Sequence, residues 1–264
     1  MNHSFCFYSF FFFGIIFARY FLIAGGAYLL FYLILGKFLV KKSLRLKPPL
    51  RRLIWKDVKL SVLSSIVFAF CAAFIILEYD LGVTLLYTDL HKYGLWYLGV
   101  SFVSILILQD TYFYFSHRIF HHRLLFKWVH FGHHISGEPT PWNSFAFDLP
   151  EAIVQSFFVV SVIFIVPLHF FTLIAVLMTM TIWSVLNHLG FELFPSSFRS
   201  HWFGRWFISS THHSIHHRNY TVHYGLYFTL WDKLLGTQDR NYDNELHSYF
   251  AGYTTTFMHK PFSK

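Results

Sequence analysis

Charge is scarce in this chain. Only 13% of its 264 residues are Asp, Glu, Lys or Arg, whereas about a quarter of an ordinary soluble domain is charged, so a water-exposed globule is excluded. Cysteine is scarcer still: Cys6 and Cys71 both sit in apolar stretches and read as small buried hydrophobes, which removes disulfide frameworks and thiolate metal sites. No HExxH with its general-base glutamate and no nucleophile motif is present, which argues against a zinc hydrolase. The N-terminus has no positive n-region, so its apolar segment is read as an anchor that stays rather than a cleaved signal.

What is present is apolar surface in long blocks. Hydrophobic residues make up 55% of the chain and mean hydropathy is +0.45. The blocks run from Phe5 to Val40, broken mainly by Arg19, then over 60–77, 95–108 with an aromatic continuation to Phe115, and 152–187. About 20 apolar residues cross a bilayer core. Pro167 and His169 split the last block, which reads as a tight hairpin of two tilted or partly re-entrant helices. About five spanning or partly spanning helices are expected.

Between Lys41 and Lys59 lie eight basic residues and the single acid Asp57. Nucleic acid is not the implied partner: the run separates two spanning segments, where the positive-inside rule accounts for it. With that loop in the cytoplasm, the segment at 60–77 leads outward to Glu78, Asp80 and Asp89, and the next helix returns. Two domains are drawn on this basis, membrane anchor helices plus basic loop at 1–59 and a membrane-embedded catalytic unit at 60–264.

The chemistry is carried by histidine. Six of the 18 histidines fall within 117–134 and four more within 212–217. HRIFHH sets His117 and His121 four residues apart; HFGHH sets His130, His133 and His134 at i, i+3 and i+4; THHSIHH repeats that pattern at His213, His216 and His217. Such offsets bring side chains to one helical face. Neutral imidazole suits iron, zinc and copper, and ten imidazoles exceed what one ion needs, so two metals are expected. If 152–187 is a hairpin, every motif lands on one membrane face. Zinc has no redox chemistry, whereas iron with open positions activates dioxygen, and in a membrane the target would be a lipid C–H bond.

The ordered set HRIFHH, HFGHH, NHLGFELFP, THHSIHH and HYGLYFTLWDKLLGT, over about Gln109 to Thr237, resembles the fatty acid hydroxylase and sterol desaturase superfamily of integral membrane di-iron oxygenases. The resemblance implies two iron ions, with zinc able to substitute, and as ligands His117, His121, His130, His133, His134, His188, His213, His216 and His217, with His212 as a tenth. It also implies a lipid substrate (sterol, fatty acyl, sphingolipid or ether lipid) and electrons from a reductase through a carrier such as cytochrome b5 or ferredoxin. Two positions depart from the pattern. His223 stands where many relatives carry asparagine, and Asp148 where relatives often carry histidine.

Two residues are candidates for supporting the ligands: Asp110, seven residues before His117 on the same helical face, as acceptor of its remaining N–H, and His223. Trp55, Trp96 and Trp142 read as interfacial anchors, and the PTPW turn as a closure over the metal site. LYFTLWDKLLGT reads as an amphipathic segment with Asp232 and Lys233 among lipid headgroups. The expected architecture is all-α, a multi-pass transmembrane helical protein with a cytoplasmic histidine-rich helical cap. The expected function is O2-dependent lipid hydroxylation or desaturation; a membrane zinc carrier or sensor is the alternative. Compact length and the lack of a fused cytochrome b5-like domain favour a bacterial inner membrane.

Overall fold

A computed structural model describes residues 3–195, 197–198, 201–240 and 242. Among the described residues the secondary structure is helical apart from one two-residue strand pair and two isolated bridges. Among the described residues four helices are long and apolar enough to cross a membrane: α1 (Phe5–Ile34), α2 (Arg51–Asp80), α3 (Leu95–Phe120) and, after two short helices α4 (Phe126–Val129) and α5 (Phe131–His134) and the shorter apolar α6 (Leu149–Ile165), α7 (Phe170–Asn187). Two short helices, α8 (Ser210–Arg218) and α9 (Leu230–Leu234), complete the cap. Large apolar side chains such as Phe10, Leu22, Ile107, Phe157 and Ile174 point outward, the arrangement required when the surroundings are hydrocarbon.

Local sequence sets the boundaries. Pro48 and Pro49 hold the chain extended ahead of α2, which then takes in the basic residues Arg51 to Lys59 and reaches 30 residues. The expected domain boundary at 59 therefore falls inside this helix, and the apolar run at 60–77 is only its inner part. The first apolar block is one helix containing π-helical stretches at Phe21–Gly25 and Leu29–Ile34. The final block is a hairpin, broken where Pro167 and His169 interrupt it. The His169 ring accepts from the Phe171 N–H at 3.0 Å and caps α7, while strand β1 (Leu86–Tyr87) pairs in parallel with β2 (Leu168–His169). The hairpin tip thus joins the loop between α2 and α3, opposite the end of the bundle where α3 and α7 finish.

One apolar core fills that tip end, with Ile75, Ile105, Ile163, Leu168 and Val176. A second joins α1 and α2 to the turn after α5, through Ile16, Tyr20, Ala69 and Phe145. Serines make the latter approach possible. Buried Ser61 and Ser64 of α2 donate to the carbonyls of Trp142 and Phe147, and Ser184 of α7 donates to that of Ser144. The Trp142 ring is half-buried and packs against Gly25, Tyr20 and Phe21.

Candidate metal centre

The end of the bundle beyond α3 and α7 collects the histidine motifs. His117 lies in the last turn of α3 and His121 caps it; HFGHH forms α5; His188 caps α7; THHSIHH forms α8. Nine imidazoles converge into two groups, His117, His121, His130, His134 and His216 in one, and His133, His188, His213 and His217 in the other, each with ligating atoms within 4.8 Å of one another. The two HxxHH motifs divide alike. Their i, i+4 pair (His130 and His134, His213 and His217) stays together, and the third member, His133 or His216, crosses to the opposite group. The groups adjoin, with the His134 and His217 rings 4.4 Å apart.

Ring orientation is fixed from outside. Nδ1 of His117 faces the Tyr224 carbonyl at 3.0 Å, that of His133 the Ala146 carbonyl at 3.3 Å, that of His188 the Ser184 carbonyl at 2.7 Å and that of His216 the Val222 carbonyl at 2.7 Å. A carbonyl oxygen only accepts, so each of these Nδ1 atoms carries the proton and Nε2 presents a lone pair inward. Beside His130 lies a carboxyl group instead, with Glu151 Oε2 2.8 Å from its Nδ1, a close contact without hydrogen-bond geometry.

The inward atoms then meet. Nε2 of His133 and His188 are 3.2 Å apart, Nε2 of His188 and His213 2.9 Å, and Nε2 of His117 and His130 3.0 Å. In the His133–His188 pair both protons are on the outer nitrogens, so two lone pairs oppose each other, which is repulsive unless a cation lies between. Ligands about 2.1 Å from one ion lie about 3 Å from each other. Among the described residues, both nitrogens of His121 and His134, and Nε2 of His216, are buried without hydrogen-bond partners, a costly arrangement for a finished protein core. The all-nitrogen donor set and these orphaned atoms fit metal ions. Burial first, then the neighbouring imidazoles, holds His133, His134, His213, His216 and His217 well below the ordinary imidazole value and His188 down to about 4, so the rings are neutral, as ligands must be.

His212, the tenth ligand of the sequence reading, stands apart from both groups. Its Nδ1 accepts from the Ser209 N–H at 3.1 Å in a capping box, and its ring stacks on Tyr242 and meets His223 edge-on. His223 is also outside the groups. It adopts φ +56°, and its Nε2 accepts from the Asp239 N–H at 3.4 Å. Asp110 does not hold His117. Its Oδ1 accepts from the backbone N–H groups of Leu226, Tyr227 and Phe228 at 2.7–3.2 Å, because three amides of the HYGLYF turn converge there and outcompete one ring N–H. Asp232 is likewise withdrawn from any headgroup layer, buried and accepting from Tyr224 N–H, Gly225 N–H and the Thr237 hydroxyl. Asp148, at the position of an expected histidine, accepts from the Gly132 N–H at 2.6 Å; a Cβ at Gly132 would collide with that carboxylate. His122 and His201 are exposed, and His247 and His259 lie outside the described residues.

Glu151 was not among the candidates, although its carboxyl is fully buried against the His130 ring. The available signal was an acid at the threshold of a long apolar run, where an ionisable group is functional by default. The residues that follow PTPW reach the site: Asn143 donates to the His133 carbonyl at 3.1 Å, and Ser144 and Phe145 line a cavity of about 580 Å³. That cavity runs among α1, α2, α3, α6 and α7, is walled mainly by Phe, Ile, Leu and Met, and carries His117, His130, His133, His188 and His213 on its surface.

A family model described as fatty acid hydroxylase matches residues 102–237, slightly over half of the chain. Among relatives, a lathosterol oxidase of Homo sapiens is 36% identical over 159 residues, covering 59% of this chain and 51% of its own length. A Delta(7)-sterol 5(6)-desaturase of Gibberella zeae is 31% identical over 156 residues, covering 59% and 47%, and one of Schizosaccharomyces pombe is 32% identical over 165 residues, covering 62% and 47%. The chain spans about half the length of the curated relatives it matches. No solved structure matches it. With its histidine-bearing half covered by the matching family model, the chain belongs to the fatty acid hydroxylase family.

Proposed function

We propose that the protein is an integral membrane oxidoreductase that hydroxylates or desaturates a C–H bond of a lipid, using dioxygen and external electrons. The observation that carries this reading is the set of opposed, unprotonated imidazole nitrogens at the wall of an apolar cavity large enough for a lipid. His117, His121, His130, His134 and His216 would hold one iron ion and His133, His188, His213 and His217 a second, leaving His212 and His223 outside. When bound, the irons would supply the redox chemistry that lets dioxygen attack an unactivated C–H bond.

The protein's own contribution is positioning. The apolar walls bind hydrocarbon and exclude water, which protects a reactive oxidant from side reactions. The turn at 141–145 and helix α7 hold the lipid against His133 and His188. The four carbonyl acceptors fix ring tautomers and aim, and Glu151 packs against the His130 ring, so the ligand lone pairs need little reorganisation. The printed names of the relatives, sterol desaturases and a lathosterol oxidase, make sterol-like lipids the first substrates to offer, and a cytochrome b5- or ferredoxin-type carrier with its reductase the first electron donor. The basic run at 41–59 supports a cytoplasmic histidine cap. The relatives come from fungi and human and lend the expected bacterial inner membrane no support.

The test is turnover. Purified, iron-loaded protein given a chemical or enzymatic reductant should consume oxygen only with lipid present and yield a product 16 Da heavier or 2 Da lighter (about one oxygen gained or two hydrogens lost), read by mass spectrometry. Tightly held zinc and no product under iron-replete, reducing conditions would sink the proposal in favour of a zinc carrier.

A further inference from the structure

Arg19 is a charged side chain midway along α1, the 30-residue apolar helix Phe5–Ile34. Phe12, Ile15, Ile16 and Arg19, spaced i, i+3, i+4 and i+7, form the face of α1 that lines the cavity. Nε of Arg19 is sealed from solvent without a hydrogen-bond partner. Among the described residues no carboxylate pairs with it, and its guanidinium carbon lies 5.8 Å from the centroid of the Phe145 ring. Packing alone would favour leucine here, and a mid-helix position denies the long side chain the escape to water open to residues near helix ends. A second donor, Nε2 of Gln155 on α6, is also buried, unpaired and part of the same cavity wall.

Arg19 is partly exposed and only its Nε is sealed off; a guanidinium on an apolar cavity wall without a counter-ion is unfavourable, so the partner it calls for is something that enters the cavity. We propose that the cavity takes a lipid ending in a deprotonated acid, its carboxylate paired with Arg19 and its hydrocarbon filling the apolar remainder. A planar guanidinium matches a carboxylate with two parallel hydrogen bonds. An alcohol or ester end, a sterol's hydroxyl included, would accept one bond and leave the charge uncompensated, so a lipid acid is expected to bind ahead of the sterol-like lipids named above. The acid end lies by Phe145, in the turn whose next residue, Ala146, holds His133. The fate of the lipid rests on the oxidation reading above, but its binding does not.

Full-length protein in detergent, without reductant, is given radiolabelled stearate, methyl stearate or stearyl alcohol in a scintillation proximity assay. Wild type should bind the acid about tenfold or more tighter than the ester and alcohol. Arg19→Gln should lose that preference while keeping ester binding and metal content, and Arg19→Lys should keep part of it. Equal binding of all three by wild type, or an undiminished acid preference in Arg19→Gln, overturns the inference. If Arg19→Gln does not fold, the wild-type preference and its partial retention in Arg19→Lys decide. Acid binding through Arg19 without turnover counts against oxidation alone; turnover without acid preference counts against this inference alone.

Discussion

Single side chains around the histidines differ in what they hold. Glu151 touches His130 directly, and losing such an outer partner typically weakens metal binding about 10–100-fold. Glu151→Gln should therefore weaken one of two bound ions by that factor in chelator competition and spare the other, since the group containing His133 has its own carbonyl anchors. Asp110 acts on backbone instead. Asp110→Asn turns a three-amide acceptor into a group with half its accepting capacity, and thermal unfolding should show a loss of about 2–4 kcal/mol. The two acids could not be told apart from sequence. The seven-residue offset from His117 marks a shared face but is silent on the turn at 226–228, more than a hundred positions away, that reaches Asp110 first.

At the scale of elements, α5 and α8 each send side chains to both groups, and the groups are unequal, with five and four imidazoles. His188→Ala leaves three ligands in its group and should lower metal content from about two ions per chain to about one. His121→Ala leaves four and should retain both ions with reduced affinity; inductively coupled plasma mass spectrometry distinguishes the outcomes. Equal losses from the two substitutions would contradict the partition. The motifs, their helices and the hairpin broken at Pro167 were all legible, because each rests on a local period or a local breaker. The partition was not, since it depends on how α5 is tilted by the Asp148–Gly132 bond and by Asn143. Helix α2 was read short because its basic first turns carry no apolar signal, although they continue the same backbone.

For the whole molecule, the hairpin tip and the α2–α3 loop share one end while both histidine groups lie at the other, and the cavity extends from those histidines between the helices. Filling it should separate binding from metal retention. Ala72→Trp, on the α2 wall, is expected to weaken lipid binding about tenfold or more while leaving metal content unchanged, read by the same lipid assay and by metal analysis. The central claim is that nine histidines grip two ions beside that cavity. Anomalous diffraction at the iron edge, from crystals of protein produced under iron-replete conditions, tests it most directly. Two iron peaks, one within the group containing His117 and one within the group containing His188, are the expected result; a single peak, or iron held away from these rings, would contradict it.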